Sequence, residues 1–214
     1  MRLLSVNTLQ PNEPNATVGP FRVPEPRAVE IPSSHVPGPS FFEFPSDDDG
    51  SSPIVSAYAR LDYDYWQTRL GRPMPNGMFG EHLTTHDLDL SHARIGERWR
   101  IGPDLIVEVT GPRVPSGRFR DWLRDNDWLE MFMAAERPGV FVRVVEPGRV
   151  EAGDTIVVQS RPDHDVTVWA ALHALSDGTE KLPSLLRTPS LPQQTVRLLR
   201  QYAPDEAAGP MVSM

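Results

Sequence analysis

Apolar and polar positions along the 214-residue chain change their spacing several times, and each spacing predicts a type of element. Residues 3–7 alternate and predict a first strand, and the apolar run at residues 105–110 predicts another. Residues 140–145 and 155–158 also predict strands, which are closed by Pro-Gly and Gly-Asp turns. Residues 118–135 predict one or two helices.

The most regular helical spacing lies at residues 54–70, where apolar side chains recur every three or four positions beside charged ones. Gly71, with prolines at positions 73 and 75, supplies the expected stop signal. This pattern predicts one amphipathic helix over 54–70.

A proline-rich stretch separates the first strand from that helix. Ten of the 23 prolines lie between Pro11 and Pro53, and each removes a backbone donor and favours an extended predecessor. The stretch excludes helices but permits short strands at residues 21–23, 28–31 and 41–44.

The end of the chain has a different pattern. Thr167 is placed to cap a helix reaching Leu175, residues 180–187 form a second short amphipathic piece, and residues 190–202 begin with a capping-box pattern. Strands on both sides of single helices, without βαβ repetition, favour a mixed β-barrel with α-helices. We therefore predict a barrel domain over 1–161, a small C-terminal three-helix appendage over 162–203, and a flexible tail over 204–214.

Composition restricts the partners and the chemistry. The net charge is -8 and the pI about 5.2, which disfavours nucleic acid and anionic membrane surfaces as partners. No apolar run approaches the roughly 20 residues that cross a bilayer, and residues 1–6 are too short for a secretory signal, so a cytoplasmic location is expected. The absence of cysteine excludes disulfides and thiol nucleophiles, and Lys181 is the only lysine.

Several polar groups could carry chemistry. Arg113 offers a guanidinium that matches phosphate or carboxylate, although a structural ion pair would equally explain it. His82 and His86, with His92 or Asp87, could bind a metal if their segment were helical. The acidic run at residues 47–49 could hold a hard cation, but its spacing is more typical of a solvated loop.

Two short runs occur in this sequence: Gly-Glu-His-Leu-Thr-Thr at residues 80–85 and Gly-Pro-Arg-Val-Pro-Ser at residues 111–116. They accompany the patterns at residues 54–70, 95–102 and 137–139. This combination resembles the MOSC family, named for the C-terminal part of molybdenum-cofactor sulfurase. The resemblance implies a barrel-like fold whose pocket binds molybdopterin, with the metal held by the cysteine of a Pro-Arg-x-Pro-Cys run. Members with a triple-helical tail are similar to reductases of N-hydroxylated compounds.

The sequence departs from that family pattern at three points. Ser116 stands where the family has its cysteine, and His82 stands where asparagine is common. Residues 48–53 replace a His-Gly-Gly-Pro-Asp-Lys stretch, of which only Gly50 is kept. A serine hydroxyl is harder and much less acidic than a thiol, so it ligates molybdenum only if the metal displaces its proton. Its other interpretation is a turn residue between Pro115 and Gly117.

The predicted site is a small-molecule pocket. Its candidate catalytic residues are Ser116, which is also the candidate metal ligand, and His82. Its candidate cofactor-binding residues are Arg113, Glu81, Thr84, Thr85 and Gly50. The function expected from the resemblance is an oxidoreductase acting on N-hydroxylated compounds with molybdopterin and molybdenum. The alternatives are a metal-independent enzyme of specialised nitrogen or sulfur metabolism on the same scaffold, and a non-catalytic small-molecule-binding module. An exposed apolar face on the closing helices would favour a homodimer.

Overall fold

A computed structural model describes residues 1–8, 22–33, 54–113, 120, 123–176, 182–188, 191, 195–196 and 200. The strands within these residues are β1 (Arg2–Thr8), β2 (Val23–Pro24), β3 (Val29–Ile31), β4 (Ile54–Ala59), β5 (Leu83–His86), β6 (Arg98–Ile101), β7 (Leu105–Arg113), β8 (Gly139–Glu146), β9 (Gly148–Val150) and β10 (Ile156–Ser160). The helices are α1 (Arg60–Leu70), α2 (Trp128–Ala135), α3 (Val168–Ser176) and α4 (Leu182–Leu186).

The described strands form one mixed sheet and one small ribbon. The sheet has eight strands in the order β10-β6-β7-β8-β4-β5-β1-β2, and β3 pairs with β9 in the ribbon. β4 and β5 are parallel, whereas the other pairs in this part of the chain are antiparallel. The strands predicted from the sequence at β1, β7, β8 and β10 are confirmed.

The sheet curls so that β1 approaches β10, the strand at its opposite edge. Arg2 forms an isolated bridge with Thr155, and Leu3 exchanges backbone hydrogen bonds of 2.8 Å with the turn at residues 153–154. These few bonds join β1 to the start of β10 without forming a continuous ladder. The mixed, sheet-rich fold class is confirmed, but the closed barrel is not.

The helix predicted over residues 54–70 is wrong in its first third. Residues 54–59 form β4, which lies between β8 and β5, and the helix α1 begins only at Arg60. A central strand buried on both faces reads as a continuous apolar run, so its period of two is hidden in the sequence. The predicted end is confirmed, because Gly71 caps the helix in the left-handed conformation with φ of 64°.

Two apolar layers flank this part of the sheet. The interior of the curl is filled mainly by aliphatic side chains, together with Trp99. The outer face of β4 and β5 is covered by α1, α2 and the residues between α1 and β5, and its buried side chains are Tyr58, Tyr63, Trp66, Met74, Phe79, Trp128 and Phe132. Their rings pack at close centroid distances, such as 4.6 Å between Trp66 and Trp128. This outer layer supports the candidate site.

The C-terminal helices pack on the same interior as the sheet. Helix α3 begins as predicted, since the Thr167 hydroxyl accepts a 3.1 Å hydrogen bond from the Ala170 amide. Apolar residues of α3 and α4, including Val168 and Leu182, belong to the interior cluster. Most of the predicted third helix, the strand predicted at 41–44 and the tail at 204–214 lie outside the described residues. The three-helix appendage and the domain boundaries therefore stay predictions.

None of the helices in the described part of the chain has both the length and the apolar character required to span a bilayer. The cytoplasmic location stays a prediction.

Candidate functional site

The pairing of four adjacent strands places Arg113, from the run at residues 111–116, near the other run, residues 80–85. Arg113, at the end of β7, pairs with Gly139 at the start of β8. Ala57 of β4 pairs with Val140, which puts Tyr58 next to Gly139, and Tyr58 pairs in turn with Thr84 of β5. The topology therefore aligns residues that are far apart in sequence.

Gly139 is required at the centre of this row for steric reasons. A Cβ atom at Gly139 would lie 2.8 Å from the Ala57 carbonyl oxygen and 2.9 Å from Cδ2 of Tyr58. Real Cβ atoms do not approach other atoms this closely, so a side chain there would force β4 and β8 apart. The space over Gly139 is instead shared by Tyr58 and Arg113.

Arg113 is a buried cation, only 9% exposed. Its Nη2 donates a 2.6 Å hydrogen bond to the carbonyl oxygen of Phe79. Its Nη1 is enclosed, and no acceptor for it exists in the described ranges. Burial lowers the pKa of Arg113, while the neighbouring Glu81 charge acts in the opposite direction. A buried guanidinium donor without an acceptor is a suitable anchor for an anionic ligand.

Glu81 is a buried carboxylate that organises the turn before β5. Its Oε1 accepts hydrogen bonds from the Gly77 amide at 2.7 Å and from the Thr84 hydroxyl at 2.6 Å. Its Oε2 accepts one from the Tyr63 hydroxyl at 2.7 Å. Burial raises the pKa of Glu81, and these hydrogen bonds partly counteract the effect. This bonding indicates that Glu81 holds the turn and balances the charge of Arg113.

Tyr63 connects Glu81 with the peptide that orients Arg113. The Tyr63 hydroxyl donates to Glu81 and accepts a 2.8 Å hydrogen bond from the Phe79 amide, while the Phe79 carbonyl accepts from Arg113. We call Tyr63, Phe79, Glu81 and Arg113 the Arg113 clamp. The sequence analysis did not select Tyr63, since an aromatic residue on a helix predicts only core packing.

Asn7 is a second residue that the sequence analysis missed. Its side-chain nitrogen donates to the Thr84 hydroxyl at 3.0 Å and to the Glu81 carbonyl at 3.3 Å. No sequence signal singled it out, because Ser5 and Thr8 are also polar positions of the same strand.

One ring nitrogen of His82 is engaged by the neighbouring strand β4. Its Nδ1 lies 3.0 Å from the backbone nitrogen of Ser56 and 3.0 Å from the Ser56 hydroxyl. A backbone amide only donates, so Nδ1 must accept, and the ring is neutral with its proton on Nε2. This arrangement makes Nε2 a hydrogen-bond donor, and the acid or base role suggested by the sequence stays a prediction.

Thr84 and Thr85 point to opposite faces of β5. Thr84 bonds to Glu81, whereas Thr85 pairs with Leu3 and Ala59, both members of the interior cluster. The structure therefore brings Thr84 to the Arg113 clamp and keeps Thr85 in the sheet interior.

Other predicted site residues are not brought together or cannot be placed. Ser116, Gly50 and the acidic run at residues 47–49 lie outside the described residues. The metal site that required His82 and His86 on a helix is wrong, because residues 83–86 form strand β5. Within the described ranges, no group of three or more histidine, aspartate or glutamate side chains is arranged to hold a metal ion.

The fold and this site correspond to a recognised class of domain. The sequence pattern that defines the MOSC domain matches residues 49–157, about half of the chain. The protein belongs to the MOSC domain family. The matched region includes Glu81, His82 and Arg113.

Three curated proteins are similar to about half of this chain. YflK of Bacillus subtilis is 29% identical over 122 residues, which are 57% of this chain and 55% of YflK. YiiM of Escherichia coli is 28% identical over 129 residues, again 57% of this chain and 55% of the relative. A protein named reductase from Gibberella moniliformis is 28% identical over 117 residues, which are 53% of this chain but 21% of that protein. The matches span about half the length of YflK and YiiM, and about a fifth of the reductase.

Solved structures extend the similarity of fold to nearly the whole chain. YiiM from Geobacillus stearothermophilus superimposes with a TM-score of 0.74 at 20% identity, covering 95% of this chain and 99% of that one. YiiM from Escherichia coli gives a TM-score of 0.67 at 20% identity, covering 94% and 92%. At this level of identity the comparison supports the fold alone.

Proposed function

We propose that this protein is a small-molecule reductase that acts on N-hydroxylated compounds and binds a phosphate-bearing molybdopterin through Arg113. The observation that carries the proposal is the enclosed Nη1 of Arg113, which needs an anionic acceptor. Family membership and the reductase name of one distant relative give the reaction class.

The residues present fit one part of the cofactor and not the other. The anionic phosphate fits Arg113, which has a donor available and is kept charged by Glu81. The thiolate ligand to molybdenum does not fit, because the sequence contains no cysteine. Ser116 is the candidate oxygen ligand by sequence position, and this assignment stays a prediction.

The proposed reaction breaks the N–O bond of an N-hydroxylated substrate. Two electrons and two protons convert the hydroxylamine into an amine and release water. If bound, a molybdenum–pterin group held through Arg113 would supply these two electrons, and a reduced electron-transfer partner would restore them. In this chain Arg113 binds the phosphate and Glu81 keeps the guanidinium in place. His82 holds a proton at Nε2 and presents it as a hydrogen-bond donor, since releasing Nδ1 from the Ser56 amide would be needed before the ring could ionise.

Substitution of Arg113 tests this function. Protein from a host that makes molybdenum cofactor is assayed for reduction of a hydroxylaminopurine with a chemical electron donor. We expect Arg113→Met to lower kcat/KM about a hundredfold, because it removes a buried charge-assisted contact of about 3 kcal/mol. Arg149→Met is the matched control, since Arg149 is exposed on β9 and should leave activity unchanged. No reduction by wild-type protein, or equal rates for both variants, would overturn the proposal.

The lack of cysteine favours a second candidate, an enzyme on the same scaffold that works without metal in nitrogen or sulfur metabolism. This candidate predicts turnover by protein shown to be free of molybdenum, with large losses in both His82→Ala and Arg113→Met. Ligand binding without any conversion would instead indicate a binding module.

A further inference from the structure

A concave site lies on the described surface, lined by residues other than those of the candidate site. It is a groove of about 720 Å³ formed by the start of α1, the residues that follow β5, the end of α2, and Trp169 of α3. Asp87 and His92, which the sequence analysis considered as metal ligands, line it, whereas none of the candidate catalytic and cofactor-binding residues that the structure describes does. We call this the α1 groove.

The walls of the α1 groove are held by interactions between its segments. The Trp169 amide donates a 2.9 Å hydrogen bond to the Ser91 carbonyl, and His173 bonds to the Glu136 carboxylate at 2.7 Å. Arg137 and Asp62 form an ion pair of 2.7 Å between the end of α2 and the first turn of α1. The groove is therefore preformed rather than a gap between independent loops.

The charged groups that line the α1 groove are mainly acidic. Its carboxylates are Asp62, Asp87, Asp89 and Glu136, and the only permanent cation among the described lining residues is Arg137. Arg137 is already engaged by Asp62 and lies over the Tyr65 ring at 4.5 Å. The groove therefore attracts a positively charged ligand.

Asp62 is the residue that points to such a ligand. It is 8% exposed, its Oδ1 accepts from Arg137, and no described residue donates to its Oδ2. Burial raises the pKa of Asp62, although Arg137 acts against this. Because Asp62 lines the groove and no described residue uses its Oδ2, a cation bound in the groove would donate to that oxygen.

Apolar groups beside the carboxylates define the rest of the ligand. Leu61, Leu88, Leu90 and Trp169 line the groove, and Leu61 is 59% exposed. A metal ion is disfavoured, because the described residues contain no cluster with metal-ligand geometry. We propose that the α1 groove binds a small organic ammonium or amidinium compound with an apolar body, whose cation contacts Asp62. This proposal does not depend on the function proposed above.

An NMR titration tests the proposal with phenethylamine as the probe. The signal followed is the indole N–H of Trp169, assigned with Trp169→Phe. Phenethyl alcohol and phenylpropionate, which share the apolar body, are the neutral and anionic comparisons. We expect a saturable shift with phenethylamine, and binding weaker by about tenfold or more for the alcohol and the acid, as loss of one charge-assisted contact predicts.

Matched variants locate the cation. Asp62→Asn should weaken phenethylamine binding about tenfold, whereas Asp64→Asn, an equal charge change at an exposed position of the same helix, should leave it unchanged. Asp87→Asn gives a second test that preserves the fold, because asparagine tolerates the left-handed φ of 58° at this position. It should weaken binding severalfold. The proposal would be overturned by any of three results: no saturable shift with phenethylamine, equal affinity for all three probes, or wild-type affinity in both Asp62→Asn and Asp87→Asn.

Discussion

Removal of a single hydroxyl group should disrupt the Arg113 clamp. Tyr63→Phe keeps the ring, which packs 4.8 Å from Phe79 and 5.2 Å from Tyr58, but removes the hydrogen bonds of the hydroxyl to the Phe79 amide and to Glu81 Oε2. A neutral hydrogen bond contributes about 1 kcal/mol and one to a charged group about 1.5–3 kcal/mol. The free energy of unfolding should therefore fall by about 2.5–4 kcal/mol.

Urea denaturation followed by tryptophan fluorescence measures this loss. Tyr65→Phe is the matched control: it deletes the same atom from the same helix, but Tyr65 is 38% exposed and makes no hydrogen bond within the described part of the chain, so its effect should stay within about 0.5 kcal/mol. If Tyr63→Phe is as stable as Tyr65→Phe, the hydroxyl does not hold the turn, and the account of how Arg113 is oriented is wrong.

Two further substitutions test other parts of the site. Glu81→Gln should remove a pH dependence of stability. Because the pKa of Glu81 is raised by folding, the folded state of the wild-type protein binds more protons than the unfolded state. Wild-type stability should therefore fall relative to the variant as pH rises from the unfolded pKa of Glu81 through its raised folded pKa. Unfolding measured from about pH 4.5 to pH 8 checks this, and parallel curves would contradict it. Gly77→Ala should destabilise by about 2–4 kcal/mol, since a Cβ atom there would lie 2.2 Å from the Arg22 carbonyl at a φ of +84°. Gly153→Ala is the control for backbone strain alone, because Gly153 has φ of +101° and open space around it. It should lower the free energy of unfolding by about 1 kcal/mol in a thermal or urea melt. If both variants lose the same free energy of unfolding, the contact at Gly77 relaxes and the steric argument is wrong.

The sequence predicted those strands and helix ends whose formation depends on a few neighbouring residues. The alternation at β1, the cap at Thr167 and the stop at Gly71 each depend on a few neighbouring residues, and the structure confirms all three. β4 was predicted as helix because a strand buried on both faces loses its alternation, and only its position between β5 and β8 distinguishes it. The curl of the sheet depends on contacts between β1 and residues 153–156, which no local pattern encodes.

The residues of the candidate site that belong to local sequence motifs were predicted, and those that join it only through tertiary packing were not. The motif residues Glu81, Thr84 and Arg113 were selected from the sequence, and the strand register brings them to one side of the sheet. Tyr63 and Asn7 were missed because their hydrogen bonds depend on packing between segments more than 15 residues apart. The hydrogen bonding of His82 could not be predicted either, since it depends on the Ser56 amide on a neighbouring strand.

The most direct test of the central claim is native mass spectrometry of protein purified from a host that makes molybdenum cofactor. We predict that the wild-type protein and Arg149→Met carry a phosphate-bearing pterin, and that Arg113→Met does not. A molybdenum enzyme that is loaded in the same host serves as the control. The claim that Arg113 anchors the cofactor would be contradicted if the wild-type protein carried no pterin beside that loaded control, or if Arg113→Met carried as much pterin as the wild-type protein.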